Sequence, residues 1–82
     1  MQVKTKIKNP RTLGAVIQQG RMIKGLSQRE LAQELGIGQK WLWEMEQGKP
    51  GILTTRLFEL LAATDVELYA ELDTEAKTQK PV

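Results

Sequence analysis

The chain contains no cysteine and no histidine. The first absence excludes a disulfide framework, a thiol nucleophile and a thiolate metal site. The second removes the commonest general base and metal ligand. With the carboxylates mostly at capping or solvent positions, no acid–base or nucleophilic constellation forms, so neither an enzyme nor a cofactor is expected. Apolar runs are only a few residues long, too short to span a bilayer, and the lysine-bearing N-terminus lacks the apolar core of a signal peptide. The expectation is a cytoplasmic protein with no membrane contact. A chain of 82 residues suits one domain that buries roughly 60–65% of its unfolded surface, enough for a small helical core and hardly for a deep cleft.

Charge of one sign is missing from each end. Residues 1–29 hold Lys4, Lys6, Lys8, Arg11, Arg21, Lys24 and Arg29 with no acid, while residues 57–76 hold Glu59, Asp65, Glu67, Glu71, Asp73 and Glu75 with no base. The net charge of +2 hides this polarity, which fits a polyanion at one end and a different contact at the other.

What is present reads in order along the chain. In QVKTKIK, residues 2–8, Val3, Thr5 and Ile7 alternate with lysines, the pattern of a short strand with one apolar face; a disordered basic tail is the other reading. Asn9-Pro10 is an N-cap followed by proline at the first helical position. Leu13, Val16, Ile17, Gly20 and Arg21 then mark one face of a helix over about 10–24, which Gly25 stops. Ser27 and Glu30 have capping-box spacing; Leu31, Ala32 and Leu35 supply the buried side of the helix they open, and Gly36 ends it. A third helix over about 39–47 carries Leu42, Met45 and Glu46 on one side, with Gly48 as its stop. Two short helices around Gly36-Ile37-Gly38 have the helix-turn-helix layout. Residues 54–64 form a fourth helix, capped by Thr54 or Thr55 and burying Leu57, Leu60 and Leu61. Val66, Leu68, Ala70 and Leu72 alternate with polar neighbours in a second strand. One domain over 1–72 and a disordered tail over 73–82 follow.

Both tryptophans lie on the third helix, two residues apart. Trp41 is one turn before Met45, so it borders the inward face and is placed to lean on the fourth helix. Trp43 shares the opposite stripe with Gln39 and Lys40, with Glu44 beside it. On the second helix of such a pair this stripe meets the DNA major groove, where Gln pairs with adenine, Lys reaches guanine and Glu accepts from cytosine. Trp43 is then covered by a thymine methyl or the sugar-phosphate wall; sideways packing or a protein contact is the alternative.

LSQRELAQELGIGQKWLWEMEQGK, Leu26 to Lys49, resembles the Xre and Cro-type phage-repressor helix-turn-helix family through its L-S/T-Q-x-E-L-A-x-x-x-G-I/V pattern and the closing E-x-G-K. The resemblance implies a mainly α, four-to-five-helix, lambda-repressor-like domain. It gives Gln28 a phosphate grip at a helix N-terminus and gives Gln39, Lys40 and Glu44 base edges; Arg29, Lys40 and Lys49 look like further phosphate contacts. Trp43 stands where a small polar residue is more usual. The family also pairs the first-helix arginine with the last glutamate of the third helix, here Arg21 and Glu46. The wheel independently turns both to buried faces, in a structural role.

The lead strand, the N-P-x-x-L-G opening and the fourth helix running into a strand resemble HipB-type antitoxins. That implies a homodimer whose terminal strands form a small sheet at the interface, an operator with two half-sites, and a HipA-type kinase toxin as partner. On the charge pattern, residues 2–8 and 66–72 are expected to build one sheet spanning the dimer, with Val66, Leu68, Ala70 and Leu72 as its apolar strip and Lys4, Lys6 and Lys8 near Glu67 and Glu71. The expected function is a sequence-specific repressor, and more narrowly an autoregulating antitoxin. A stand-alone repressor is one alternative, and a protein-interaction module that kept the fold without DNA is another.

Overall fold

In the computed structural model, which describes residues 2–49 and 51–74, strand β1 (Gln2–Ile7) leads into helices α1 (Pro10–Ile23), α2 (Gln28–Leu35), α3 (Gln39–Glu46) and α4 (Ile52–Ala63), and strand β2 (Leu68–Asp73) follows. The described residues thus hold four helices and no fifth. Most of the expected tail, from residue 75 on, lies outside the described residues.

Local chemistry sets the helix starts. The Asn9 side chain accepts from the Thr12 backbone N–H and from its hydroxyl, each at 2.8 Å, with Pro10 in the first turn. At α2, Ser27 Oγ accepts from Glu30 N–H at 3.0 Å and Glu30 Oε1 accepts from Ser27 N–H at 2.9 Å, a complete capping box. α4 starts earlier than expected, at Ile52: extended Gly51 takes the N-cap with no side-chain bond, so neither Thr54 nor Thr55 caps it.

All four helices end alike. A residue in the left-handed region follows each one, Gly25, Gly36, Gly48 and Asp65, and its own N–H and that of the next residue bond back to the last turn. At α4 this stop takes two residues from the expected strand. Asp65 N–H bonds to Ala62 at 3.3 Å and Val66 N–H to Leu61 at 2.9 Å, so β2 begins at Leu68 rather than at 66.

The strands pair antiparallel within one chain, with Val3 opposite Leu72, Lys4 opposite Glu71, Thr5 opposite Ala70 and Ile7 opposite Leu68. Val3, Thr5, Ile7, Ala70 and Leu72 form the covered face of the sheet, seated on α1, where Leu72 approaches Gly20. On the outer face Lys6 Nζ lies 3.3 Å from Glu67 Oε2, and Lys4 Nζ sits 5.1 Å from the centre of the Tyr69 ring. The sheet therefore closes the N-terminus onto the end of the domain.

The core is small. Ile7, Ala32 and Leu42 are its fully buried apolar residues, together with Gly14 and Glu46. Gly14 is fixed by close approach of two backbones: a Cβ there would strike the Met45 carbonyl oxygen and come within 2.7 Å of that of Glu46. Gly48 is constrained twice, by a φ of +75° and by the Arg11 backbone against it. These two glycines allow α1 and the end of α3 to touch. Three leucines expected inside are on the surface instead, Leu35 at 60% exposure, Leu57 at 45% and Leu60 at 63%. α4 has no buried residue at all, because the partly covered side it turns to the domain carries Thr54, Phe58 and Leu61.

Gly14→Ala tests the backbone contact. Overpacking of this kind costs about 1–3 kcal/mol, so urea denaturation is expected to show a loss of at least that size; unchanged stability would mean that α1 and α3 stand further apart.

Candidate nucleic-acid interface

The surface that α3 offers is set by what holds α3 from behind. Arg21 of α1 donates from Nε to Glu46 Oε2 at 2.7 Å, from Nη2 to Glu46 Oε1 at 3.0 Å, and from Nη1 to the Leu26 carbonyl at 2.8 Å. Gln28, the first residue of α2, donates its side-chain amide to Glu46 Oε1 at 2.9 Å. One carboxylate thus ties the end of α3 to α1 and to the start of α2, and Arg21 adds the α1–α2 turn. Its side chain is fully covered and that of Arg21 is 10% exposed. Among the described residues no buried side-chain nitrogen or oxygen is left without a partner, which a buried charge requires. The Arg21 bonds hold the Glu46 carboxyl below its ordinary range, with Gln28 adding to the effect and burial opposing it. The same bonds raise Arg21.

Gln28 is therefore half-buried and engaged. One amide N–H goes to Glu46, and the second N–H is what remains for an outside acceptor. Helical periodicity does not reveal this bond, because it joins the start of one helix to the end of the next.

On the other side of α3, Gln39, Lys40 and Trp43 are exposed and Glu44 is half-buried. Arg29 and Lys40 have no ion-pair partner among the described residues. Lys49 is folded back along α3: the left-handed turn at Gly48 sends its N–H to the Glu44 carbonyl at 3.1 Å. Its ammonium then lies 3.8 Å from Glu44 Oε2 and 5.1 Å from the centre of the Trp43 ring. Trp43, 43% exposed, thus has a lysine of its own chain across one face. Sequence spacing gives no sign of that contact, since Lys49 follows the end of the helix; the glycine stop was its only signal. Trp41 departs from the expectation that it borders the inside. It is 54% exposed and lines an open groove with Met45, Ile52 and Leu53, because α4 reaches it only with its first residues.

In chemical terms the face combines amide and ammonium donors, a carboxylate acceptor and an aromatic edge, flanked by cations and held by a rigid back. Among the described residues no group of acidic side chains is placed to hold a metal ion, and no described helix is long and apolar enough to cross a membrane. The model of the family described as helix-turn-helix domain matches residues 12–70, from the first turn of α1 into β2. The chain belongs to the helix-turn-helix domain family. No curated protein and no solved structure is significantly similar to it.

The Arg21–Glu46 pair has a definite pH signature. Because the folded carboxyl is more acidic than the unfolded one, its stabilisation is complete above the ordinary glutamate pKa and is lost as pH falls through the lower folded value. Glu46→Gln is expected to flatten the acid limb of stability against pH. Glu46→Ala is expected to cost about 3–5 kcal/mol at neutral pH, since it leaves Arg21 buried and unpaired. Denaturation curves collected from neutral pH downward check both; an unaltered acid limb in Glu46→Gln would place the titration elsewhere.

Proposed function

We propose that the chain is a sequence-specific DNA-binding transcriptional repressor that acts as a homodimer, with α3 of each protomer in the major groove. The observation that carries this reading is the exposed set Gln39, Lys40 and Trp43 on a helix fixed from behind by a buried three-helix network. A reading helix needs freedom at its outer face and none in its placement. Gln39 and Lys40, in the first turn of α3, stand where base-edge contacts form in helix-turn-helix proteins. Arg29, Lys49 and the remaining Gln28 N–H supply phosphate contacts. An interaction module without DNA has no use for that cationic rim.

Lys49 is counted as a phosphate ligand although it leans on Glu44 and Trp43. Lys49 is exposed and Glu44 keeps 37% of its side chain open to solvent, and surface pairs of this kind contribute only about 0–1 kcal/mol, so a phosphate can draw the ammonium away at little cost. One reading helix per chain is too small for tight specific binding; two, about 34 Å apart, span successive grooves of a pseudo-palindromic site.

Lys49→Ala is expected to weaken binding to every sequence alike and to reduce the salt slope, dlogK/dlog[salt], by about one. Gln39→Ala is expected to cost about 1–3 kcal/mol on the preferred site and to relax the preference at particular base pairs. Binding titrations over a salt series on selected and scrambled duplexes read both effects; a Gln39→Ala protein with unaltered sequence preference would contradict this placement of α3.

The narrower reading is an antitoxin of HipB type that represses its own operon and binds a HipA-type kinase toxin. It is supported by layout: a lead strand, the Asn9-Pro10 opening, and α4 followed by a strand that pairs with the first. Co-expression with the product of the adjacent gene distinguishes this from a stand-alone repressor. A stoichiometric complex with a kinase-fold protein is expected, and a chain that purifies alone beside such a gene would contradict it.

A further inference from the structure

α4 is the anomaly of the fold. It is twelve residues long, includes six large apolar side chains and two alanines in ILTTRLFELLAA, and buries none of them fully. Ile52 is 82% exposed and Leu53 85%. Leu53, Leu57 and Leu60 recur at i, i+4 and i+7, one exposed stripe that flanks the partly covered side carrying Phe58 and Leu61. At its N-terminal end the stripe runs into the groove lined by Trp41, Met45 and Ile52. These exposed side chains together present on the order of 600 Å² of apolar surface, at the top of what a monomer usually shows. That is close to the roughly 800 Å² per partner of a standard interface.

We propose that this surface is the homodimer interface, with α4 of one chain packed antiparallel on α4 of a second copy; the proposal deepens the dimeric reading above. The spacing supplies the argument for a second copy. A two-fold axis demands that a surface match itself, and the stripe is nearly symmetric about Leu57. Reversed, it puts Leu53 opposite Leu60 of the second copy and Leu57 opposite its own counterpart. The helix carries only two charges, Arg56 and Glu59, already paired with each other at 3.1 Å on the flank. Closing the stripe therefore buries no charge that the second copy must neutralise. The same arrangement places the groove at Trp41 over the far end of the second copy's stripe, which gives this tryptophan the cover it lacks in one chain.

The terminal sheet is the weaker place for that interface. Ala70 and Leu72 are half-buried in their own chain, with Leu72 3.5 Å from where a Cβ of Gly20 would stand. Val66 lies outside β2 altogether. Of the strip expected to join two protomers, Val66 at 50% and Leu68 at 36% exposure stay open, both beside the end of α4.

Sedimentation velocity on the full chain without DNA tests the proposal. Wild type is expected to run at twice the monomer mass of 9.3 kDa, and Leu53→Glu/Leu57→Glu at the monomer mass with unaltered helical circular dichroism. Met22→Glu, which adds a single glutamate at a 63% exposed position on α1, is expected to remain dimeric. Because the chain has no cysteine, Leu57→Cys gives a second reading that does not depend on tolerance of buried charge: mild oxidation is expected to yield a covalent dimer, and Met22→Cys is not. A monomeric wild type, a dimer that survives the double glutamate, or equal loss in Met22→Glu would each overturn the proposal. DNA is absent throughout, so failure of the DNA reading would leave these results unchanged.

Discussion

The arrangement of the domain depends on one buried carboxylate. Glu46 sits at the end of α3 and accepts from Arg21 of α1 and from Gln28 of α2. With so few fully buried apolar residues, hydrophobic contact alone leaves the rotation of so short a helix weakly determined. A buried ion pair adds little net stability over an apolar substitute. What it does here is directional: the bidentate Arg21 contact permits one orientation of α3 about its axis, and Gly14 and Gly48 let the backbones come close enough to make it. Fixing the inward face of α3 also fixes which residues face outward, so the buried pair and the exposed Gln39–Lys40–Trp43 stripe are two consequences of one constraint.

α4 follows a different logic. It is more apolar than the three helices before it, yet it is the least covered, and the exposure is concentrated on one stripe rather than scattered. A chain this short gains limited burial from folding alone, and association adds stability by mass action to whatever the isolated fold provides. In the proposed dimer the large side chains at the domain's edge therefore serve stability and DNA recognition together, since the same contact would set the distance between two α3 helices.

The parts legible in the sequence were those fixed by neighbours along the chain. Asn9-Pro10 and Ser27…Glu30 announce helix starts because the capping bonds span three residues, and the glycine stops announce ends for a similarly local reason. Alternation in residues 2–8 gave the strand. Periodicity says that a helix face is apolar but not what covers it, which is why Leu35, Leu57 and Leu60 read as core and lie outside. Gly51 caps α4 through its backbone conformation alone, so no side chain marked that start. In the site, the helical wheel puts Arg21 and Glu46 on buried faces and the family resemblance pairs them, whereas the bond from Gln28 to Glu46 and the lysine over Trp43 depend on chain reversals that no spacing displays.

The central claim is that α3, held by Glu46, presents its outer face to duplex DNA. Backbone amide shifts during titration with a mixed-sequence duplex at low salt test it most directly, because non-specific binding is strong enough there to observe, with Kd of about 10⁻⁴–10⁻⁶ M or tighter. The account predicts that the amides of residues 28–29, 39–44 and 49 move together while those of residues 53–60 on α4 stay in place. Movement confined to α4 or to the terminal sheet, with the amides of α3 unmoved, would contradict it.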